Sequence, residues 1–110
     1  MKYKRGYILE ENDKQIGILR YNLFWDNIPF CTMLYIAEGN QHKGYGRMLM
    51  NTWEKEMKKY KYNMVITSTR VDEDAQHFYR KLGYCDAGGL LIHVPGYEQP
   101  MEMFFVKALL

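Results

Sequence analysis

The sequence predicts an α+β fold: one mixed β-sheet of about six strands with two main helices packed against it. Three observations carry this. Strand-like runs fill the first third of the chain. A nearly all-apolar run is followed by a glycine-rich turn, a long helix-period segment and another apolar run, the order of a parallel strand pair joined by a helix. A second, shorter helical segment then leads into the closing strands. At 110 residues, one domain spanning 1–110 is expected.

Composition narrows the class. Hydrophobic residues make up 47% and aromatics 15%, a globular balance rather than a disordered one. Net charge is only +2, so any recognition of phosphate must be local and not that of a general polyanion binder. Cys31 and Cys85 lack metal-ligand spacing and do not make a disulfide framework. They read as reduced thiols of a cytoplasmic protein. No apolar run reaches membrane-spanning length, and the basic residues 1–5 are not followed by a signal-like apolar stretch. No membrane partner and no metal site are expected.

Residues 7–10 read as a short strand, 11–14 as a polar turn and 15–21 as a second strand, together a hairpin. Asp26 and Asn27 with Pro29 mark the next turn. Residues 30–37 are nearly all apolar, which suits a central strand covered on both faces. Tyr45, Met48, Leu49, Trp53, Met57 and Tyr60 recur at three and four residues, an amphipathic helix over 45–60. The lysines crowding its end read as a solvated face that suits the helix dipole. Residues 64–68 read as a strand. Asp72 reads as the cap of a second helix, with Glu73 and Asp74 in its first turn and Gly83 as its stop. Residues 84–87 read as a short strand, 88–100 as a long loop with a short strand over 90–94, and 101–107 as the last strand.

The chemistry centres on Gln41, His42, Lys43, Gly44, Tyr45, Gly46 and Arg47. Glycines let backbone approach a ligand, and the first N–H groups of a helix have no partner inside it. The helix dipole favours an anion in front of them. Lys43 and Arg47 add full positive charge. The loop reads as a pyrophosphate cradle. It lacks the third glycine of a dinucleotide fingerprint, Leu49 standing there, and it has no Walker lysine.

Two signatures resemble the GNAT superfamily of acyl-CoA N-acyltransferases. One is Leu34-Tyr35-Ile36 followed by Gln41-x-x-Gly44-x-Gly46. The other is Ala75-Gln76-His77-Phe78-Tyr79-Arg80-Lys81-Leu82-Gly83-Tyr84. The resemblance implies acetyl-CoA or another acyl-CoA as co-substrate, its pyrophosphate on N–H groups from Gln41 to Arg47. Its pantetheine arm would bond the backbone of Leu34, Tyr35 and Ile36 as an added strand. Two splayed parallel strands would leave such groups unpaired for an amide-bearing arm.

The resemblance also implies that Tyr79 protonates the departing thiolate. A phenol near pKa ~10 is matched to an alkyl thiol. A tyrosine on an amphipathic helix is otherwise ordinarily core. The acceptor is a primary amine of a small molecule, peptide or protein, and something must take its proton. Glu38, just past the central strand, is the candidate base, with His93 as another. His42 and His77 read as surface residues. A backbone N–H of the central strand would hold the oxyanion.

Asp72 stands where the family often has Asn. It can cap the helix but cannot donate an amide N–H to the cofactor. The family usually begins with a further strand and two helices, whereas here only residues 1–6 precede the first strand. A minimal enzyme, a fragment and a pocket completed by a partner are all left open. The aromatic residues 21–25 would favour self-association into a homodimer if exposed, and ordinary packing otherwise. Two other functions compete: a CoA-binding sensor or subunit without turnover, and a nucleotide- or nucleic-acid-binding domain using the same basic loop. Near-neutral charge argues against the second.

Overall fold

The computed structural model describes residues 5–110. The basic opening read above lies, for residues 1–4, outside the described residues. Strands β1 (Gly6–Glu11), β2 (Lys14–Phe24) and β3 (Ile28–Ile36) lead into helix α1 (Tyr45–Lys59). Strand β4 (Met64–Arg70), helix α2 (Ala75–Lys81), β5 (Cys85–Leu90) and β6 (Glu102–Ala108) follow. The sheet order is β1-β2-β3-β4-β6-β5, with β3 and β4 the parallel pair and the other neighbours antiparallel. The expected mixed six-stranded sheet with two helices is the one observed.

Both helices pack on one face. Leu49, Met50, Trp53 and Met57 of α1 share a buried cluster with Leu19, Cys31, Val65 and Phe105 of the sheet and Tyr79 of α2. Trp53, Met50 and Met57 are wholly buried, each contributing about 1.5–3 kcal/mol by removing apolar surface from water. Glu54 is buried among them. Its carboxylate accepts from Tyr84 Oη at 2.8 Å and pairs with Lys107 Nζ at 2.8 Å, so the charge is compensated.

Several local expectations are corrected. The buried stripe of α1 is rotated from the one expected: Met48 and Tyr60 are exposed, while Met50 and Glu54 are covered. Pro29 does not turn the chain. It sits inside β3 opposite Leu23 and is fully buried, the turn being made by Trp25 and Asp26 with positive φ. The loop expected from Gly88 begins later. Strand β5 continues through both glycines to Leu90, with a slip in its pairing to β6 that the glycines absorb. No strand forms over residues 91–94.

Asp72 is not the cap of α2. The helix starts at Ala75, Asp74 precedes it without a side-chain cap bond, and no acidic residue lies in the first turn. Asp72 instead meets Arg70 Nε at 3.3 Å, both side chains half-exposed. Arg70 lies at the end of β4 and draws the carboxylates of Asp72 and Glu73 back toward the strand.

Candidate active site

The site is made by two strands that separate. Strands β3 and β4 are paired only at Phe30 with Ile66 and at Cys31 with Thr67. At the same level β3 carries a bulge. Arg20 faces Met33 and Tyr21 faces Cys31, so Thr32 is the extra residue, its hydroxyl donating to Arg20 O at 3.4 Å. A bulge bends its strand and increases the local twist. Beyond it the edge of β3 that faced β4 has no strand partner.

The gap is a slot of about 340 Å³. Strand β3 lines it from Cys31 to Tyr35, and β4 lines it with Ser68 and Thr69. Ala75 and Tyr79 of α2 close one side, and the carboxylates of Glu73 and Glu102 reach it from the turn before α2 and from β6. Of the expected residues, Leu34, Tyr35 and Tyr79 therefore meet in one place. Ile36 lies at the far end of β3.

Tyr79 is buried, its ring packed on Phe78, Tyr84 and Phe105 at centroid distances of 5.4, 5.8 and 6.0 Å. Burial pushes its phenol up to about 12, and the nearby Cys31 thiol and the Glu73 and Glu102 carboxylates push the same way. Thr67 opposes them. The proton is thus held firmly at neutral pH. Burial likewise raises the Cys31 thiol to about 11. The Thr67 hydroxyl is buried with no hydrogen-bond partner of good geometry, yet it lies near enough to Cys31 and Tyr79 to ease both.

The glycine turn follows directly from β3. Gln41 anchors it: its side-chain amide donates to Ile36 O at 3.2 Å, bending the turn back on the strand. Gly44 precedes α1 with φ of 85°, a left-handed conformation that favours glycine, and no side chain caps the helix. The first helical N–H groups therefore face outward without a capping side chain. A Cβ on Gly44 would meet nothing within 4 Å, so the space before the helix is open.

Gly46 has a different reason. A Cβ there would come within 3.3 Å of Phe78 Cζ, so this glycine admits the ring of Phe78 from α2. Tyr45 reaches away from the turn, its hydroxyl donating to Glu11 Oε2 at 3.0 Å. His42, Lys43 and Arg47 are exposed around the turn.

Other expected residues stand apart. Glu38 lies in the exposed turn after β3 and does not line the slot. Asp72, held by Arg70, does not line it either. His77 and His93 are exposed and elsewhere. The slot carboxylates Glu73 and Glu102 were missed by local reading: Glu102 approaches Tyr79 through strand register across the sheet, and Glu73 is drawn in by Thr69 and Arg70 at the end of β4. Among the described residues, no group of three or more His, Cys, Asp or Glu is placed to hold a metal ion, and no helix is long and apolar enough to cross a membrane.

Residues 2–86 match the sequence family described as "Acetyltransferase (GNAT) domain". The chain belongs to the GNAT acetyltransferase family. GNAT structures also share its fold. An acetyltransferase of Bacillus anthracis assigned to streptothricin, with acetyl coenzyme A bound, superposes with a TM-score of 0.84 at 16% identity over 94% of this chain. The Escherichia coli ribosomal-protein-S18-alanine N-acetyltransferase gives 0.80 at 17% identity over 94% of this chain, and a Bacillus subtilis acetyltransferase in complex with CoA gives 0.80 at 17% over 96%. The chain spans 61%, 68% and 76% of the lengths of these three structures. Among curated proteins, none matches the sequence significantly.

Proposed function

We propose that this GNAT chain is an acetyl-CoA-dependent N-acetyltransferase acting on a primary amine. The observation that carries the reading is the separation of β3 from β4 above Cys31 and Thr67, with Tyr79 beside the gap and an open glycine turn at the end of β3. The donor's diphosphate rests on N–H groups of the turn from Gln41 to Arg47, with Lys43 and Arg47 supplying charge. The pantetheine amides bond the free edge of β3 at Leu34, Tyr35 and Ile36 in the place of a strand. The thioester then lies near Tyr79.

The amine attacks the thioester carbon directly. A backbone N–H of β3 above the bulge holds the oxyanion. Tyr79 protonates the departing sulfur. Its raised pKa keeps it in the acid form throughout the neutral range, which suits a general acid. Glu38, outside the slot, can take the amine's proton only through intervening water. Asp72 contributes through the turn that leads to α2 rather than by contact with the donor. The free thiols of Cys31 and Cys85 suit a reducing, cytoplasmic setting.

Calorimetry with acetyl-CoA, followed by a thiol-release screen over primary amines, tests the reading. The Tyr79→Phe variant should lose turnover by at least about tenfold while donor affinity stays nearly intact. Binding without turnover on any amine would make the chain a CoA-binding sensor or subunit. Unchanged turnover in Tyr79→Phe would remove the phenol from the mechanism.

A further inference from the structure

The slot passes through the sheet, and its two mouths differ. Leu34 stands opposite Leu19, which is buried beneath α1, so Leu34 faces the helices. Met33 stands opposite Arg20 and, by strand alternation, faces the other way with Tyr35. They are 44% and 55% exposed. In β6, Phe105 is in the core under the helices, so Glu102 and Phe104 belong to the opposite face. No helix among the described residues covers that face. The glycine turn and α2 thus serve one mouth, while Met33, Tyr35, Ser68 and Glu102 form the other.

Of the two slot carboxylates, one is engaged. Glu73 Oε1 accepts from Arg70 N at 3.0 Å and from Thr69 Oγ1 at 3.3 Å, and lies 3.4 Å from Arg70 Nε. Glu102 is half-buried, and its carboxylate makes no hydrogen bond or ion pair with the described residues. No lysine, arginine or histidine lines the slot. A partly desolvated carboxylate without a counter-charge favours a cation.

We propose that Glu102 is the acceptor's anchor: it receives a cationic primary amine that enters from the helix-free face of the sheet. This rests on the transferase reading above. The ammonium donates a hydrogen bond to Glu102, and its apolar part lies on Met33 and Tyr35. One ammonium proton leaves to water at the open mouth. The freed nitrogen attacks the thioester carbon, the C–N bond forms, and the C–S bond breaks with its electron pair on sulfur. Tyr79 gives its proton to that sulfur and recovers one from the nitrogen, leaving amide, thiol and one proton in water. An amine that carries its own carboxylate meets like charge at Glu102 and is disfavoured.

The test uses the full chain, acetyl-CoA and three acceptors: an arylethylamine, an alkyl diamine, and an α-amino acid with a free carboxylate. The wild type should favour the first two by about tenfold or more in kcat/KM. Glu102→Gln should raise their KM by about tenfold to a hundredfold and erase the preference, because a hydrogen bond to a charged group is lost. Acetyl-CoA affinity by calorimetry should change by less than about twofold, and Glu102→Asp should recover part of the loss. An unchanged KM in Glu102→Gln overturns the proposal, as does a wild type that prefers the amino acid. So does acetyl-CoA binding with no amine of the three acylated. Failure of the wild type to bind acetyl-CoA overturns the transferase reading itself, an outcome separate from the others.

Discussion

Cys31 stands opposite Thr67 in the last rung that joins β3 to β4. Below it the parallel strands are joined at Phe30 and Ile66. Above it they diverge around the slot, and the bulge at Thr32 sits one residue beyond the rung. Both residues are buried, and both lie close enough to Tyr79 to shift its phenol. The rung is therefore at once the hinge of the divergence and the floor on which the proposed chemistry takes place.

Thr67 carries a cost that a substitution can reveal. A buried hydroxyl without a partner costs about 1–3 kcal/mol relative to its hydrated state. Valine has the same shape without the hydroxyl. Thr67→Val should raise stability by about 1 kcal/mol, a shift of roughly 4 °C in Tm for a chain of this size. A less stable variant in thermal unfolding would show that the hydroxyl is satisfied.

Cys31 sets a pH dependence. Its thiol rises from an ordinary 9.0 to about 11 through burial. The folded state therefore keeps the proton where the unfolded chain releases it. That contribution is fully present below pH 9 and is lost as pH rises to 11, on the order of 3 kcal/mol in all. Denaturant unfolding at successive pH values should show stability falling across this window, and Cys31→Ala should flatten the fall. An identical slope in that variant would assign the loss to other groups.

Gly44 separates conformation from charge. Alanine there pays only for the left-handed backbone, about 1–2 kcal/mol, since its Cβ has open space. Aspartate adds a negative charge before the helix. Gly44→Asp should weaken acetyl-CoA binding by at least about tenfold, and Gly44→Ala by much less. Equal affinities in a calorimetric titration would count against the cradle.

The elements that follow local chemistry could be read from the chain alone. The turn from Gln41 to Gly46, the long helix after it and the tyrosine of the second helix are set by residues close in sequence. What escaped is set by register. Nothing near Thr32 marks a bulge, which appears only once β2 and β3 are paired. Glu102 lies 23 positions from Tyr79 and reaches the slot only through the pairing of β6 with β4. Asp72 looked like a helix cap because Asp is a good one, but Arg70 two residues earlier competes for it. Tyr60 looked like core because periodicity counts spacing and not where a helix ends against its sheet.

The ring of Phe78 resting on Gly46 ties two parts of the molecule that the sequence keeps 32 residues apart. Phe78 adjoins Tyr79, and Gly46 adjoins the amides proposed to hold the donor. The first turn of the long helix is thus in direct contact with the residue beside the phenol. Under the proposed function, the grip on the nucleotide end of the donor and the aim of the proton meet at this one contact.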